Sequence, residues 1–311
     1  MDVVTHALTA YALARAGLDR LTPQATGLLV AGALLPDADQ LLRLAGPVVF
    51  LEHQQTFTHS WLLAPVLAAL VVVAARWLAP QAWGRSWVAA ALGVASHISL
   101  DQLSAPGVAA WWPLHAARQA WDLMAPGDFW PALLLSMTIT VPFLANLVSS
   151  EIGARRDSGR GAAWTALLLV LIYVAVRAQS RDTTLELLHS RVYDGSAARR
   201  VEACPDRFDP GRWLGLVDTG GIQRILTVNL RAPFDPEAGE TLYPVHHPAI
   251  DAARRHDVVA RLRDYLKWMH WEAVPASDRV EVTAEELRLG LILRFEVGGR
   301  NEVVAASVQP R

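Results

Sequence analysis

The sequence has few of the residues that build several common kinds of site. Cys204 is the only cysteine among 311 residues, so neither an intramolecular disulfide nor a zinc cluster of cysteines can form. An excess of charge of one sign is also lacking, because 28 basic residues face 30 acidic ones. That balance gives no electrostatic reason to expect a nucleic-acid partner. No GxSxG motif is present and Cys204 has no evident base beside it, which argues against a covalent nucleophile.

Apolar residues are unevenly distributed along the chain. Residues 1–178 are apolar with few charges, whereas residues 179–311 mix charged and apolar residues as soluble domains do. Two parts of these sizes fit the usual lengths of domains. The composition therefore predicts an α-helical polytopic membrane domain over residues 1–178 and a small, soluble C-terminal α+β domain over residues 179–311.

Hydrophobic runs in the first region predict membrane-spanning helices, because about 20 apolar residues cross a bilayer. Residues 61–78, 130–149 and 162–176 form the strongest runs, and tryptophans stand near their ends, as at membrane interfaces. Residues 25–35 and 87–100 form weaker runs. Residues 3–16 predict a helix that is too short to span unaided. The start of the chain lacks the basic segment of a cleavable signal peptide, so we expect His6 to be retained.

Arginines between these runs predict an orientation, because cytoplasmic loops are enriched in basic residues. The opposite loops contain mainly Arg43 and Arg118, while Arg177 and Arg181 do not follow the pattern. Under this topology the C-terminal region lies on the non-cytoplasmic side. The loops predicted to be cytoplasmic contain Arg15, Arg20, Arg76, Arg85, Arg155, Arg156 and Arg160.

The C-terminal region has the pattern of a small mixed domain. Residues 213–217, 222–230, 280–283 and 291–297 read as strands bounded by Asp, Gly and Pro turns. Residues 251–271 predict one amphipathic helix. The histidines of this region show no ligand spacing, and we expect surface roles for His189, His246, His247, His256 and His270.

Histidines and aspartates border the apolar runs of the first region in four groups. Ionisable side chains beside membrane segments are costly and usually functional, and imidazole with carboxylate is the ligand chemistry of a divalent metal such as zinc. On the predicted topology all four groups fall on the non-cytoplasmic side. The groups are His6, then Asp37 with Asp39, then His53 with His59, then His97 with Asp101.

The spacing within these groups supports a shared site, although each group alone also has a structural explanation. His97 and Asp101 are four residues apart and would share one helix face, where they could also form an ordinary hydrogen bond. Asp37 and Asp39 repel each other in an apolar setting unless a cation or protons neutralise them, but either could cap a helix. His59 could be an interfacial side chain. Polar groups in lipid must find partners, and these would find one another.

At these groups the chain resembles the YdjM family, also called LexA-regulated, membrane-bound metal-dependent hydrolases. The matching stretches are residues 5–6, 32–39, 56–60 and 96–104, continued by residues 106–107 and 112–114. The resemblance implies a multi-pass protein of the bacterial inner membrane with a divalent metal, zinc or alternatively manganese. The metal ligands that it implies are His6, Asp37, Asp39, His59, His97 and Asp101.

Two stretches differ from the family pattern. Gln40 stands where the family usually has a histidine after the paired aspartates, and Gln54-Gln55 stand where it usually has His-Arg. Glutamine is a poor metal ligand and cannot replace the charge of an arginine on a phosphate. His53, one residue away, is the candidate to compensate. Asp2 is a further candidate, as a ligand or a general base.

The family is also distantly similar to zinc-dependent phospholipase C and P1-type nucleases, which implies a phosphoester substrate. We therefore expect a membrane-bound hydrolase that cleaves a phosphoester of a lipid-like substrate with metal-activated water. Its expected partners are the lipid bilayer and that substrate. One alternative is a transporter or ion relay using the same residues, although such residues usually lie near the membrane midplane. The other is a catalytically degenerate membrane scaffold, for which Gln40, Gln54 and Gln55 are the support.

Overall fold

The computed structural model describes residues 1–78, 80, 82–152, 158–276 and 278–310. Its contacts divide the chain into two units. The first unit contains Met1–Asp39, Gln55–Gln179 and Asp206–Pro210, and the second contains Gln40–Gln54, Ser180–Pro205 and the chain from Gly211 onward. Residues 40–54 therefore pack with the C-terminal strands, although their sequence pattern groups them with the first region. Arg155 and Arg156, used in the predicted topology, lie outside the described residues.

Helices make up most of the N-terminal region that the structure describes, and the non-helical residues 103–128 separate two of them. The first helix, Val3–Ala16, coincides with the predicted helix over residues 3–16, and the short helix Pro47–His53 belongs to the second unit. Short 3-10 segments over Leu35–Ala45 and Phe57–His59 connect the helices. The helices are α1 (Val3–Ala16), α2 (Ala25–Leu34), α3 (Pro47–His53), α4 (Ala64–Arg76), α5 (Trp83–Gln102), α6 (Phe129–Ile152) and α7 (Arg160–His189).

Two of the described helices are long and apolar enough to cross a membrane. They are Phe129–Glu151 and Arg160–His189, and they contain the predicted runs over residues 130–149 and 162–176. The run over residues 61–78 forms a shorter helix than expected, since α4 begins at Ala64 with a proline in its first turn and has 13 residues. Its length of about 20 Å is less than the bilayer core. It becomes a third candidate only if it is joined to the bent segment Pro47–His59.

Glycines allow α2 and α5 to pack closely. A Cβ atom on Gly32 would lie 2.3 Å from the carbonyl oxygen of Ala90, and one on Gly93 would lie 2.2 Å from that of Leu29. Small residues at such positions are the usual means of bringing helices together in membrane proteins. The two backbones therefore come into direct contact, and α5 is fixed beside the C-terminal end of α2.

The two arginines that depart from the orientation pattern are both bound by partners. Arg177 is fully buried and donates hydrogen bonds to the carbonyl oxygens of Leu123 at 2.9 Å and Pro210 at 2.6 Å. Arg181 pairs with Glu202 at 3.1 Å. Neither side chain is a free loop charge of the kind that the orientation rule counts.

The strands that the structure describes all lie in the second unit. They are β1 (Val192–Tyr193), β2 (Ser196–Ala197), β3 (Arg200–Pro205), β4 (Arg212–Asp218), β5 (Gln223–Asn229), β6 (Glu240–Leu242), β7 (Met269–Pro275), β8 (Arg279–Glu286), β9 (Leu291–Gly298) and β10 (Val303–Pro310). They form two four-stranded antiparallel sheets with strand orders β3-β4-β5-β6 and β10-β9-β8-β7, and the small pair β1-β2. The predicted strands over residues 213–217, 280–283 and 291–297 lie within β4, β8 and β9, and most of residues 222–230 form β5.

The predicted helix over residues 251–271 is wrong. Two short helices, α8 (Pro248–Arg254) and α9 (Asp257–Arg261), occupy its first half, and β7 occupies its end. The side chain of His256 caps α9 by accepting the backbone N–H of Val258, which starts a new helix at that point. Trp271 lies opposite Ala284 of β8 and stacks on Phe295, so sheet pairing and burial outweigh the amphipathic pattern.

Candidate metal centre

Six of the predicted ligands lie together in the first unit, on four different segments. α1 contributes His6, and α5 contributes His97 and Asp101 from adjacent turns of one face. The 3-10 segment that follows α2 contributes Asp37 and Asp39, and the one that precedes α4 contributes His59. His6, His59 and His97 are fully buried, as are Asp39 and Asp101, while the side chain of Asp37 is 20% exposed.

Three ligand atoms form a nearly equilateral triangle. His59 Nε2 lies 3.0 Å from His97 Nε2 and 3.2 Å from Asp101 Oδ2, and His97 Nε2 lies 3.5 Å from the same carboxylate oxygen. Atoms bound tetrahedrally to zinc at about 2.0–2.1 Å are about 3.4 Å apart. The three atoms therefore have the spacing of one face of such a tetrahedron.

Hydrogen bonds on the far sides of the two imidazoles determine where their protons lie. His97 Nδ1 lies 2.5 Å from the carbonyl oxygen of Ala33, which can only accept, so Nδ1 carries the hydrogen. Thr58 donates to Asp39 Oδ2 at 3.1 Å and so accepts from His59 Nδ1 at 2.8 Å. Metal-bound histidines are held in the same way. Both Nε2 atoms then present lone pairs to each other, which is repulsive unless a cation or a proton lies between them.

A second possible metal group adjoins the first. His6, Asp37 and His97 offer ligand atoms that all lie within 4.8 Å of one another. The His6 ring stacks on that of His97 at 3.7 Å, and its buried Nδ1 has no hydrogen-bond partner among the described residues. Asp101 faces His6 Nε2 with Oδ1 at 3.1 Å and the first group with Oδ2. One carboxylate thus lies between the two groups.

Gln55 is a member of the cluster that the sequence pattern presented only as a departure. Its backbone N–H donates to Asp39 Oδ2 at 2.7 Å, and its side-chain Nε2 donates to Asp101 Oδ2 at 3.0 Å. Gln55 has φ of 53°, a left-handed conformation that is uncommon outside glycine and here directs both donors at carboxylates. The amino group of Met1 also contacts Asp101 Oδ1. The sequence signal for Gln55 is its position directly before the matching stretch over residues 56–60.

Asp2 and His53, the two catalytic candidates, are engaged elsewhere. Asp2 caps α1, since its two carboxylate oxygens accept the backbone N–H of Thr5 at 3.0 Å and the hydroxyl of Thr5 at 2.7 Å. His53 belongs to the second unit, where its half-exposed ring lies 3.1 Å from the carbonyl oxygen of Val49. Gln40 also belongs to that unit and accepts a hydrogen bond from Arg43.

The donor set fits a divalent cation. Neutral imidazole and carboxylate are suitable ligands for zinc and for other divalent transition metals. The lone pairs of His59 and His97 converge, and the buried atoms His6 Nδ1 and Asp39 Oδ1 have no hydrogen-bond partner among the described residues. Metal ligands and their supporting groups are arranged in this way, whereas a purely structural polar cluster would pair each donor with an acceptor.

Comparison with known proteins places the chain in a family. Neither the curated proteins nor the solved structures contain a match to it. The sequence model of the YdjM inner membrane protein family matches residues 1–183, which is more than half of the chain and includes every residue of the cluster. The chain therefore belongs to the YdjM inner membrane protein family.

Proposed function

We propose that this protein is a metal-dependent hydrolase of the bacterial inner membrane that cleaves a phosphoester of a lipid-like substrate. The observation that carries the proposal is the pair of imidazole lone pairs, His59 Nε2 and His97 Nε2, that face each other and Asp101 in a buried cluster. Only a proton or a bound cation between these lone pairs would relieve their repulsion. Family membership and two candidate spans support the membrane location.

Two sets of side chains would hold the metal. His59, His97 and Asp101 would hold one ion. His6 and Asp37 would offer ligands for a second ion beside it, with the other carboxylate oxygen of Asp101 facing His6. A bound divalent cation, zinc or alternatively manganese, supplies Lewis acidity that polarises a phosphoryl oxygen and lowers the pKa of water.

The remaining residues of the cluster hold the ligands in place. Asp39 and Thr58 fix the ring of His59, the carbonyl of Ala33 fixes that of His97, and Gln55 fixes the carboxylate of Asp101. Asp37 is the ligand with the most exposed side chain, at 20%, so we expect the substrate phosphate to enter from its side. On the arginine pattern this side is non-cytoplasmic, and the protein is multi-pass.

Elemental analysis of the detergent-purified protein tests the metal site directly. The expected result is stoichiometric zinc or manganese in the wild type, its loss in Asp37→Ala/His97→Ala, and its retention in His115→Ala, which changes an exposed histidine of the same unit. The metal-loaded protein is then assayed for release of phosphate or phosphorylated headgroup from lipid phosphoesters. Absence of metal from the wild type, even after resupply, would overturn the hydrolase proposal.

One observation favours a second candidate, a metal-binding membrane scaffold without turnover. Gln55 stands in the cluster where the family pattern has an arginine, so a guanidinium that could bind a phosphate is missing at this position. Stoichiometric metal with no turnover of any lipid phosphate, in the wild type and in Gln55→Arg alike, would favour this candidate.

A further inference from the structure

The segment that joins α5 to α6, residues 103–128, directs its charged side chains inward. Its three residues with charged side chains, Arg118, Asp122 and Asp128, are only 8%, 5% and 1% exposed. Arg118 donates to the carbonyl oxygen of Gly107 at 3.1 Å, within the same segment. Loops that face water normally expose their charges and bury their apolar groups. In this segment the charged side chains are buried together with apolar ones such as Val108 and Met124.

The outer surface of the same segment is aromatic and aliphatic. Trp111 is 48% exposed, Leu114 is 81% exposed and Trp121 is 59% exposed. Exposed large apolar side chains grouped on one segment mark a contact surface. Tryptophan in particular prefers the headgroup level of a bilayer, where its ring is apolar and its N–H finds polar partners.

Hydrogen bonds fix the level of this segment along the spanning helices. The carbonyl oxygen of Leu123 accepts from Arg177, and Asp128 accepts from the hydroxyl of Tyr173 at 2.9 and 3.0 Å. Both partners lie where the apolar run of α7 ends, and α6 begins at Phe129 directly after the segment. The segment thus continues the apolar surface of the two spans at the start of α6 and at the end of the apolar run of α7.

The segment also packs against the turn that carries His59. The backbone N–H of Ala109 donates to the carbonyl oxygen of Gln55 at 2.9 Å, and that of Trp61 donates to the carbonyl oxygen of Ala110 at 2.9 Å. The hydroxyl of Ser60 donates to the carbonyl oxygen of Trp112 at 2.6 Å. The metal cluster is therefore at the same level of the first unit as the exposed tryptophans.

We propose that Trp111, Leu114 and Trp121 form a surface that lies in the headgroup layer of the bilayer, so that the metal cluster opens at the depth of lipid phosphates. The occupant of this surface is the lipid itself. The consequence for substrate rests on the proposed function: a phosphoester embedded in the membrane reaches the cluster from the headgroup layer, whereas a soluble phosphoester does not share that location.

Spin labels at defined positions test the depth of the surface. Because Cys204 is the only cysteine, a Cys204→Ala parent accepts single labels at Trp111→Cys, Leu114→Cys and Trp121→Cys. The labelled full chain is reconstituted in phospholipid nanodiscs, and its collisions with oxygen and with a water-soluble nickel chelate are measured. Phe143→Cys on the lipid-facing side of α6 is the membrane control, and Glu237→Cys in an exposed loop of the second unit is the water control.

The expected result is an oxygen-to-nickel collision ratio several-fold above that of the Glu237→Cys label and below that of the Phe143→Cys label. A ratio equal to the water control would overturn the proposal, and so would low collision with both reagents, which would mean that protein covers the surface. A variant that does not elute as a single species is replaced by Ala117→Cys, a small and exposed position on the same segment. The readout needs neither metal nor turnover, so its failure is distinguishable from failure of the proposed function.

Discussion

The two units bury acidic side chains in opposite ways. In the second unit the carboxylate of Glu286 is fully buried and accepts three backbone N–H groups, from Trp268 at 3.1 Å, Arg288 at 3.0 Å and Leu289 at 2.6 Å. In the first unit the equally buried Asp101 is surrounded by three imidazoles, whose ring nitrogens approach its oxygens at 3.1, 3.2 and 3.5 Å.

The difference is the one expected between a structural carboxylate and a metal-binding one. Glu286 satisfies the rule that buried acceptors face donors, and its environment needs nothing further. In the cluster of the first unit, His59 and His97 turn their N–H groups outward and their lone pairs inward. Burial alone therefore does not identify a site, whereas an excess of inward-facing acceptors does.

Removing one carboxylate from each unit should give the largest contrast. We expect Asp101→Asn to weaken metal binding by more than about 100-fold, roughly 2.7 kcal/mol, because a ligand should contribute more than the 10–100-fold of an outer-shell partner. Glu286→Gln is the matched control and should leave metal affinity unchanged. Competition titration against a chelating dye measures both. Equal losses in the two variants would remove the distinction.

Chelation should destabilise one unit selectively. A metal present at about 100 times its dissociation constant stabilises the folded state by about 2.7 kcal/mol, and removal of the metal loses that contribution. Hydrogen–deuterium exchange should show lost protection over residues 55–60 and 93–101 and no change over residues 279–298. Uniform loss of protection would contradict a metal site confined to the first unit.

Loss of the Gln55 side chain should have a smaller effect. Gln55→Leu removes the donor to Asp101 Oδ2 and keeps the backbone bond to Asp39, so we expect a loss of about tenfold in metal affinity. Gln119→Leu, at an exposed position in the same unit, is the control. The same dye competition serves as the measurement, and unchanged affinity in Gln55→Leu would show that the backbone alone positions the cluster.

Asp2 offers a test between a capping role and a catalytic one. Asp2→Ala should lower the free energy of unfolding by about 1 kcal/mol, the usual cost of a lost N-cap. Asp2→Asn keeps a capping side chain and should leave both stability and metal content near the wild-type values. Thermal unfolding with elemental analysis distinguishes the roles, because a ligand or a general base would not tolerate the loss of charge.

The smallest expected effect is the pH dependence of the second unit. Burial raises the pKa of Glu286, while the three N–H donors offset part of that effect. Because the folded pKa is above the unfolded one, the stabilising contribution is present below the unfolded pKa and is lost as pH rises through the folded pKa. The free energy of unfolding of the second unit should therefore fall as pH rises from the unfolded to the folded pKa of Glu286 in the wild type, and not in Glu286→Gln.

Cys204 provides the probe for this measurement. Its thiol is buried in β3 of the second unit, so its labelling in urea reports unfolding there, with the unfolded chain as the reference for thiol reactivity at each pH. An identical pH profile in the wild type and in Glu286→Gln would contradict the assignment.

Local patterns predicted the elements that depend on local physics. Residues 3–16 form the predicted helix, the predicted strands over residues 213–217 and 291–297 form, and burial alternates along the second of them. His97 and Asp101 could be paired from sequence because helical spacing determines their relation. The helix predicted over residues 251–271 failed because the position of Trp271 is decided by β8 and Phe295, which are distant in sequence.

The cluster itself could be predicted as a set of residues and not as a geometry. Nothing in the local sequence of Gln55 indicates a left-handed backbone, because that conformation depends on Asp39, Asp101 and Ala109. The sequence also offers Asp2 as a further candidate ligand or general base. Its neighbour Thr5 supplies both of its partners, which a capping motif would have suggested.

The close packing of α2 and α5 has a consequence for how sequence changes in this protein should be interpreted. His97 receives its orientation from the carbonyl of Ala33, and that carbonyl is within reach only because Gly32 and Gly93 bring the two backbones together. A methyl group at either glycine would push the helices apart and release the imidazole ring from its tautomer. On the proposed function, both glycines therefore control the basicity of the candidate ligand His97 without contributing an atom to the site, and we expect variants at either glycine to lower metal affinity.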